Sequence, residues 1–169
     1  MTTNHAVFFV DLQQNQFDPR YGIYNADTFL VQMTDALAAA RQRGDLVIHI
    51  QHDGPAGEMD EPFSEAWQLV LPVAPHEKIY RKTVFSAFSE NPELVDYLQA
   101  HGITHVTIIG VQSEYCIQAN ARAARAAGFA VHVPRGMHST ADAQVVADVH
   151  AALVAEGFSS PIQGAMPQP

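Results

Sequence analysis

The sequence predicts an α/β protein, a three-layer α/β/α arrangement around a mainly parallel, doubly wound sheet. Three observations predict it. Short apolar runs recur along the 169 residues, and segments with apolar residues at helical spacing fall between them. The first run, Ala6 to Val10, carries no polar alternation, which suits a strand covered on both faces. Strands and helices that take turns along a chain build a parallel sheet with helices on both sides.

Ala6 to Val10 (AVFFV) is the first such run and stops at Asp11. After a turn-rich stretch with Asp18-Pro19 and Gly22, residues Phe29, Leu30, Met33, Leu37 and Ala40 recur at helical spacing. Gly44 follows them as a stop signal. Leu46 to Ile50 reads as the second strand, Gly54 to Pro62 as a long loop, Trp67 to Val70 as a short apolar segment and Lys78 to Lys82 as the third strand. Asn91-Pro92-Glu93 reads as a helix start, with Asn91 as cap and proline in the first turn, and Gly102 as its end. His105 to Val111 is the fourth strand, Cys116 to Ala127 a helix closed by Gly128, Ala130 to Val133 a fifth strand, and Asp142 to Glu156 the last helix. One domain is expected over residues 1–169, because a single core grows to this size without splitting. Residues 155–169, with Pro161, Gly164, Pro167 and Pro169, read as an extended arm on a neighbouring subunit.

Nine basic and eighteen acidic residues give a net charge of −9, which would repel phosphate backbones and anionic lipid surfaces. Nucleic acid and membrane are therefore not expected as partners. No apolar run approaches the ~20 residues that cross a bilayer, and Met1 to His5 lacks the regions of a signal peptide. The expected location is the cytoplasm. Cys116 is the only cysteine, so an internal disulfide and a multi-cysteine metal site are excluded. GVQSE is not G-x-S-x-G, and neither a phosphate-binding G-x-x-x-x-G-K-[ST] nor a G-x-G-x-x-G after a strand is present.

Ligand crevices of open α/β sheets lie beyond the carboxyl ends of the strands. Asp11 follows the first strand, Lys82 ends the third and Cys116 lies five residues past the fourth. Singly, each has an ordinary reading as turn former, solvated charge or buried apolar residue. Together they form a nucleophile with its helpers. A helix N-terminus and a nearby ammonium both favour a thiolate, so the expectation is a lowered thiol pKa at Cys116. Asp11 would carry the proton and backbone N–H groups would hold the oxyanion.

Asp11 in VFFVDLQQ, Lys82 in RKTVFSAF and Cys116 in IIGVQSEYCIQANARAA closely resemble the isochorismatase-like cysteine hydrolases, a family with a Rossmann-like fold that includes nicotinamidases and related amidases. The resemblance runs from Ala6 to about Thr140. It implies a triad of Asp11 as base and acid, Lys82 as the holding cation and Cys116 as the nucleophile. It also implies a cis Val111–Gln112 bond and an oxyanion hole made by the N–H groups of Gln112 and Cys116. A C–N bond of a small amide or lactam would be cleaved through a thioester, with no cofactor, in a homodimer or homotetramer.

Nicotinamidases carry an aspartate and two histidines after the second strand as a metal site, and HIQHDGPAG lacks that Asp-x-His arrangement. His49 and His52 would point to opposite faces of a strand. The region resembles instead the metal-free amidase-like subgroup that includes streptothricin hydrolase, so no metal is expected. Gln13, Phe17, Trp67, Phe85 and Tyr115 are candidate substrate-binding residues, the aromatic rings suiting a small planar or cyclic substrate. Vinyl-ether cleavage, which some family members perform without the cysteine, and a non-catalytic ligand-binding or redox-responsive role are the alternatives.

Overall fold

A computed structural model describes residues 3–158 of the chain. The expected C-terminal arm therefore falls largely outside the described residues. The strands are β1 (His5–Val10), β2 (Leu46–His52), β3 (Lys78–Lys82), β4 (His105–Val111), β5 (Ala130–His132) and β6 (His138–Ser139). The helices are α1 (Ala26–Arg43), α2 (Ala87–Glu90), α3 (Glu93–Ala100), α4 (Gln118–Ala126) and α5 (Ala143–Ala155). The strands form one sheet in the order β3-β2-β1-β4-β5, with β6 also pairing with β4. All of these pairings are parallel.

Alternate residues of the central strands feed two cores. Phe8, Val10, Ile48, Ile50 and Ile108 face Leu94 and Leu98 of α3, Ala121 and Ala124 of α4, and Leu153 of α5. Val7, Phe9, Val47 and Ile109 face Phe29, Met33 and Leu37 of α1. Burying each large side chain contributes ~1.5–3 kcal/mol, which makes the unbroken apolar runs the main driving force for the layered packing. Helix α1 ends as its sequence demands, because Gly44 takes a left-handed φ of 75° and its N–H bonds back to the carbonyls of Ala40 and Arg41.

Register sets the site. Val10 lies level with Ile50 on one side and with Gly110 on the other, and His52 lies level with Lys82. The carboxyl ends of four neighbouring strands therefore meet at one edge. The approach of β1 to β4 there requires glycine: Gly110 has φ 123°, and a Cβ on it would stand 2.3 Å from the carbonyl oxygen of Val10.

Four local expectations change. The helix expected from Cys116 begins earlier, as a π-turn over Ser113–Ile117 that runs into α4, so the cysteine sits inside the first turn. Strand β5 ends at His132, one residue short of the expected Val133. Asn91 does not cap α3; its side-chain amide donates backwards to the carbonyls of Ala87 and Arg81 and so ties off α2 instead. Helix α2 and strand β6 are additional, and both are too short to show a period in sequence.

Candidate active site

Asp11 follows β1 with a backbone φ of 51°, a left-handed conformation that aspartate tolerates better than most residues. Lys82 closes β3 and is buried with its side chain 0% exposed. Cys116 reaches the same point from the π-turn. Lys82 Nζ lies 2.8 Å from Asp11 Oδ2 and 3.3 Å from Cys116 Sγ. The three side chains that lie 71 and 34 residues from Lys82 or at its own position thus meet in one hollow. Asp11 Oδ1 is buried and has no hydrogen-bond partner among the described residues.

The electrostatics correct one expectation. Burial and the charge of Asp11 push the Cys116 thiol up to about 12, against the opposing pull of Lys82. The resting sulfur is a neutral thiol. For Lys82 burial also works against charge, but the Asp11 carboxylate and Cys116 outweigh it and hold the ammonium above its ordinary range. The pair at rest is a carboxylate and an ammonium.

The backbone around Cys116 has a distinctive course. The Val111–Gln112 bond is cis. The carbonyl of Gln112 accepts from the N–H of Tyr115 at 3.1 Å and from that of Ile117 at 3.2 Å, passing over Cys116. Asn120, one turn on, holds the segment from behind. Its side chain accepts from the Ala87 N–H and donates to the carbonyls of Cys116 and Phe85. Sequence reading missed Asn120, although an asparagine four residues after the cysteine on an otherwise small-residue helix face was a usable signal.

The candidate substrate-binding residues divide. Phe85 and Tyr115 stack with ring centroids 5.2 Å apart and remain 56% and 46% exposed beside the cysteine segment. Gln13 is buried and fully occupied: its amide donates to the carbonyls of His52 and Trp67 and accepts from the His52 N–H. Trp67 is likewise buried, its indole N–H donating to Asp53 at 2.8 Å while the Arg81 guanidinium lies over the ring. Phe17 packs against the core on the α1 side. Phe85 and Tyr115 form an exposed aromatic wall beside the cysteine segment, whereas Gln13 and Trp67 are buried and Phe17 half-buried.

His49 turns away from the triad, stacks on Phe9 and bonds to Glu77 at 3.0 Å. His52 turns toward it, with Nδ1 3.3 Å from Lys82 Nζ. The two imidazoles share no centre, and His52 Nδ1 faces the Lys82 ammonium. Among the described residues no group of three or more His, Cys, Asp or Glu is arranged to hold a metal ion. The residues present do not fit the metal site of the nicotinamidases.

The fold has counterparts among known proteins. Residues 5–159 match the isochorismatase domain. Streptothricin hydrolase of Streptomyces noursei is 38% identical over 139 residues, covering 81% of this chain and 55% of that protein. This chain spans about half the length of the two streptothricin hydrolases it matches, 55% and 52%. Among solved structures, an isochorismatase family protein superposes with a TM-score of 0.80 at 26% identity, covering 95% of this chain and 98% of the other. The pyrazinamidase of Pyrococcus horikoshii in complex with zinc superposes with a TM-score of 0.82 at 19% identity over 96% and 100% of the two chains, a likeness of fold. With the domain match running almost end to end and the layered sheet superposing on its structures, this chain belongs to the isochorismatase family.

Proposed function

We propose that the protein is a cysteine amidohydrolase that cleaves the C–N bond of a small amide or lactam. One observation carries the reading. A buried ammonium, Lys82 Nζ, lies 2.8 Å from a carboxylate and 3.3 Å from the sulfur of the chain's only cysteine. The likeness to streptothricin hydrolase supports the bond type.

Because the resting thiol is neutral, its proton leaves during attack. Sγ bonds to the substrate carbonyl carbon as the proton passes to Asp11, whose Oδ1 has no other partner among the described residues. The carbonyl oxygen gains the negative charge, and the N–H groups of Gln112 and Cys116 are the proposed donors to it. Donation by Cys116 is consistent with the Gln112 carbonyl bonding to Tyr115 and Ile117 instead. Collapse breaks the C–N bond, and Asp11 returns its proton to the departing nitrogen. Water then attacks the thioester, giving one proton to Asp11, and the thiol and a carboxylic acid are released. Lys82 stays an ammonium throughout, stabilising Asp11 when it is charged and the sulfur as it becomes so. The Phe85–Tyr115 wall would hold a planar or cyclic substrate.

Released ammonia or amine across a panel of small amides tests this, together with mass spectrometry of a trapped acyl adduct on Cys116. Cys116→Ala is expected to abolish both turnover and adduct. Full activity in that variant would overturn the covalent mechanism. A second reading, a member that binds but does not turn over, is favoured by the burial of Cys116, which is 8% exposed. Retained binding of amides by the unmodified protein with no turnover across the panel would select it.

A further inference from the structure

One titratable side chain at the cleft, His52, takes no part in proton transfer among Asp11, Lys82 and Cys116. An ammonium has three N–H donors and no acceptor. Three acceptors surround Lys82 Nζ: Asp11 Oδ2 at 2.8 Å, Cys116 Sγ at 3.3 Å and His52 Nδ1 at 3.3 Å. The lysine side chain is fully buried, so these three have to satisfy it. An acceptor needs its lone pair, and a neutral imidazole whose Nδ1 accepts carries its proton on Nε2. That second nitrogen lies on the solvent side. The His52 side chain is 25% exposed, and Nε2 stands 3.9 Å from Asp60 Oδ2, beyond hydrogen-bonding distance. The imidazole therefore covers a dry ammonium with one edge and presents an unpaired N–H at the rim with the other.

We propose that His52 is a positioning residue that supplies the third acceptor to Lys82, is locked by it as the Nε2–H tautomer, and offers that N–H to a carbonyl oxygen or ring nitrogen of the bound substrate. The substrate half of this proposal rests on the amidohydrolase reading; the tautomer and the lysine contact do not. The pairing costs nothing in local geometry, because His52 and Lys82 are neighbours in the β2–β3 register.

Long-range ¹H–¹⁵N correlation spectra of the labelled full chain at neutral pH test the tautomer directly. The His52 ring is expected to be protonated at Nε2 only; a proton on Nδ1 would overturn the proposal. Two substitutions separate contact from bulk. His52→Asn keeps an acceptor near the Nδ1 position, and His52→Phe keeps a ring without one. Alkylation of Cys116 by iodoacetamide at one mildly alkaline pH should slow ~10-fold in H52F, since the charged hydrogen bond that steadies Lys82 is gone, and stay within ~3-fold in H52N. Equal rates in H52F and the unsubstituted protein, or equal slowing in both variants, would sink the lysine role. For any amide the unsubstituted protein hydrolyses, H52N should raise KM ~10-fold with kcat within ~3-fold, because only the distal N–H is lost. An unchanged KM removes the substrate contact. The spectra and the alkylation rates need no turnover, so they hold or fail independently of C–N hydrolysis.

Discussion

Lys82 sets the terms for its two partners. A buried ammonium is tolerable only beside a countercharge, and Asp11 supplies it at 2.8 Å. Removing one member of such a pair costs more than removing both, because the survivor is left charged and dry. Asp11→Asn is therefore expected to destabilise the fold by ~3 kcal/mol, while the double variant Asp11→Asn/Lys82→Met recovers part of that loss. Urea denaturation of the single and double variants checks it; strictly additive effects would mean that the pair is not coupled. The same single variant should lower any amide turnover by ~10²–10⁴-fold, the usual contribution of a positioned acid–base group. The identities of the three residues were readable from their places after strands, but the protonation state of Cys116 was not. Helix end and ammonium are local signals that argue for a thiolate, whereas burial and the field of Asp11, which push the thiol up to about 12, exist only once segments far apart in sequence have met.

Strands and helices carry the site more rigidly than any single contact does. The sharpest constraint is the β1–β4 approach at Gly110, where an added Cβ would meet the Val10 carbonyl oxygen at 2.3 Å and the backbone nitrogen at 2.8 Å. Neither neighbour is a flexible side chain, and φ 123° disfavours any other residue. Gly110→Ala should therefore cost more than ~3 kcal/mol and, where protein is recovered, displace the cysteine segment that follows β4. Thermal melts and the Cys116 alkylation rate would show it, and an unperturbed melt would contradict the packing. Strands β1, β2 and β4 were legible because apolar residues dominate each, and α1 because its buried residues Phe29, Met33, Leu37 and Ala40 repeat with helical period. Strand β6, two residues long, and the π-turn before α4 carry no such period and are fixed by tertiary pairing. Trp67 illustrates the limit for the site. An aromatic residue in a loop after a strand suggests a pocket wall, but its N–H is taken by Asp53, which also binds Arg81, and the loop is thereby clamped to β3.

Acid should lower the protein's stability in two overlapping stages, because buried histidines, His138 most strongly, and the buried carboxyl of Glu77 have depressed pKa values. Burial, reinforced by the neighbouring His150, holds His138 down to about 4 from 6.5, and its Nδ1 faces Ser113 Oγ at 2.8 Å. Burial alone would raise Glu77, but hydrogen bonds from Arg41, the Ala74 N–H and His49 outweigh it and bring the carboxyl to about 2 from 4.5. For both groups the unfolded chain takes up the proton first, so each contribution is present above the unfolded pKa and is lost as pH falls toward the folded one. His138 governs the window from 6.5 to about 4, and Glu77 the window from 4.5 to about 2. Each contribution is on the order of 3 kcal/mol at full effect, against a total of ~5–15 kcal/mol for a domain. Unfolding free energy from urea melts is thus expected to be level above neutrality and to decline in two overlapping steps. His138→Asn keeps a partner for the Ser113 hydroxyl without titrating, and should shrink the upper step without touching the lower one, leaving the shares of His49 and His150. Glu77→Gln should flatten the lower step while lowering the plateau, since Arg41 then loses its charged partner. If the upper step survives undiminished in His138→Asn, the acid response originates elsewhere, and the buried contact between β6 and the cysteine segment is not what couples stability to pH.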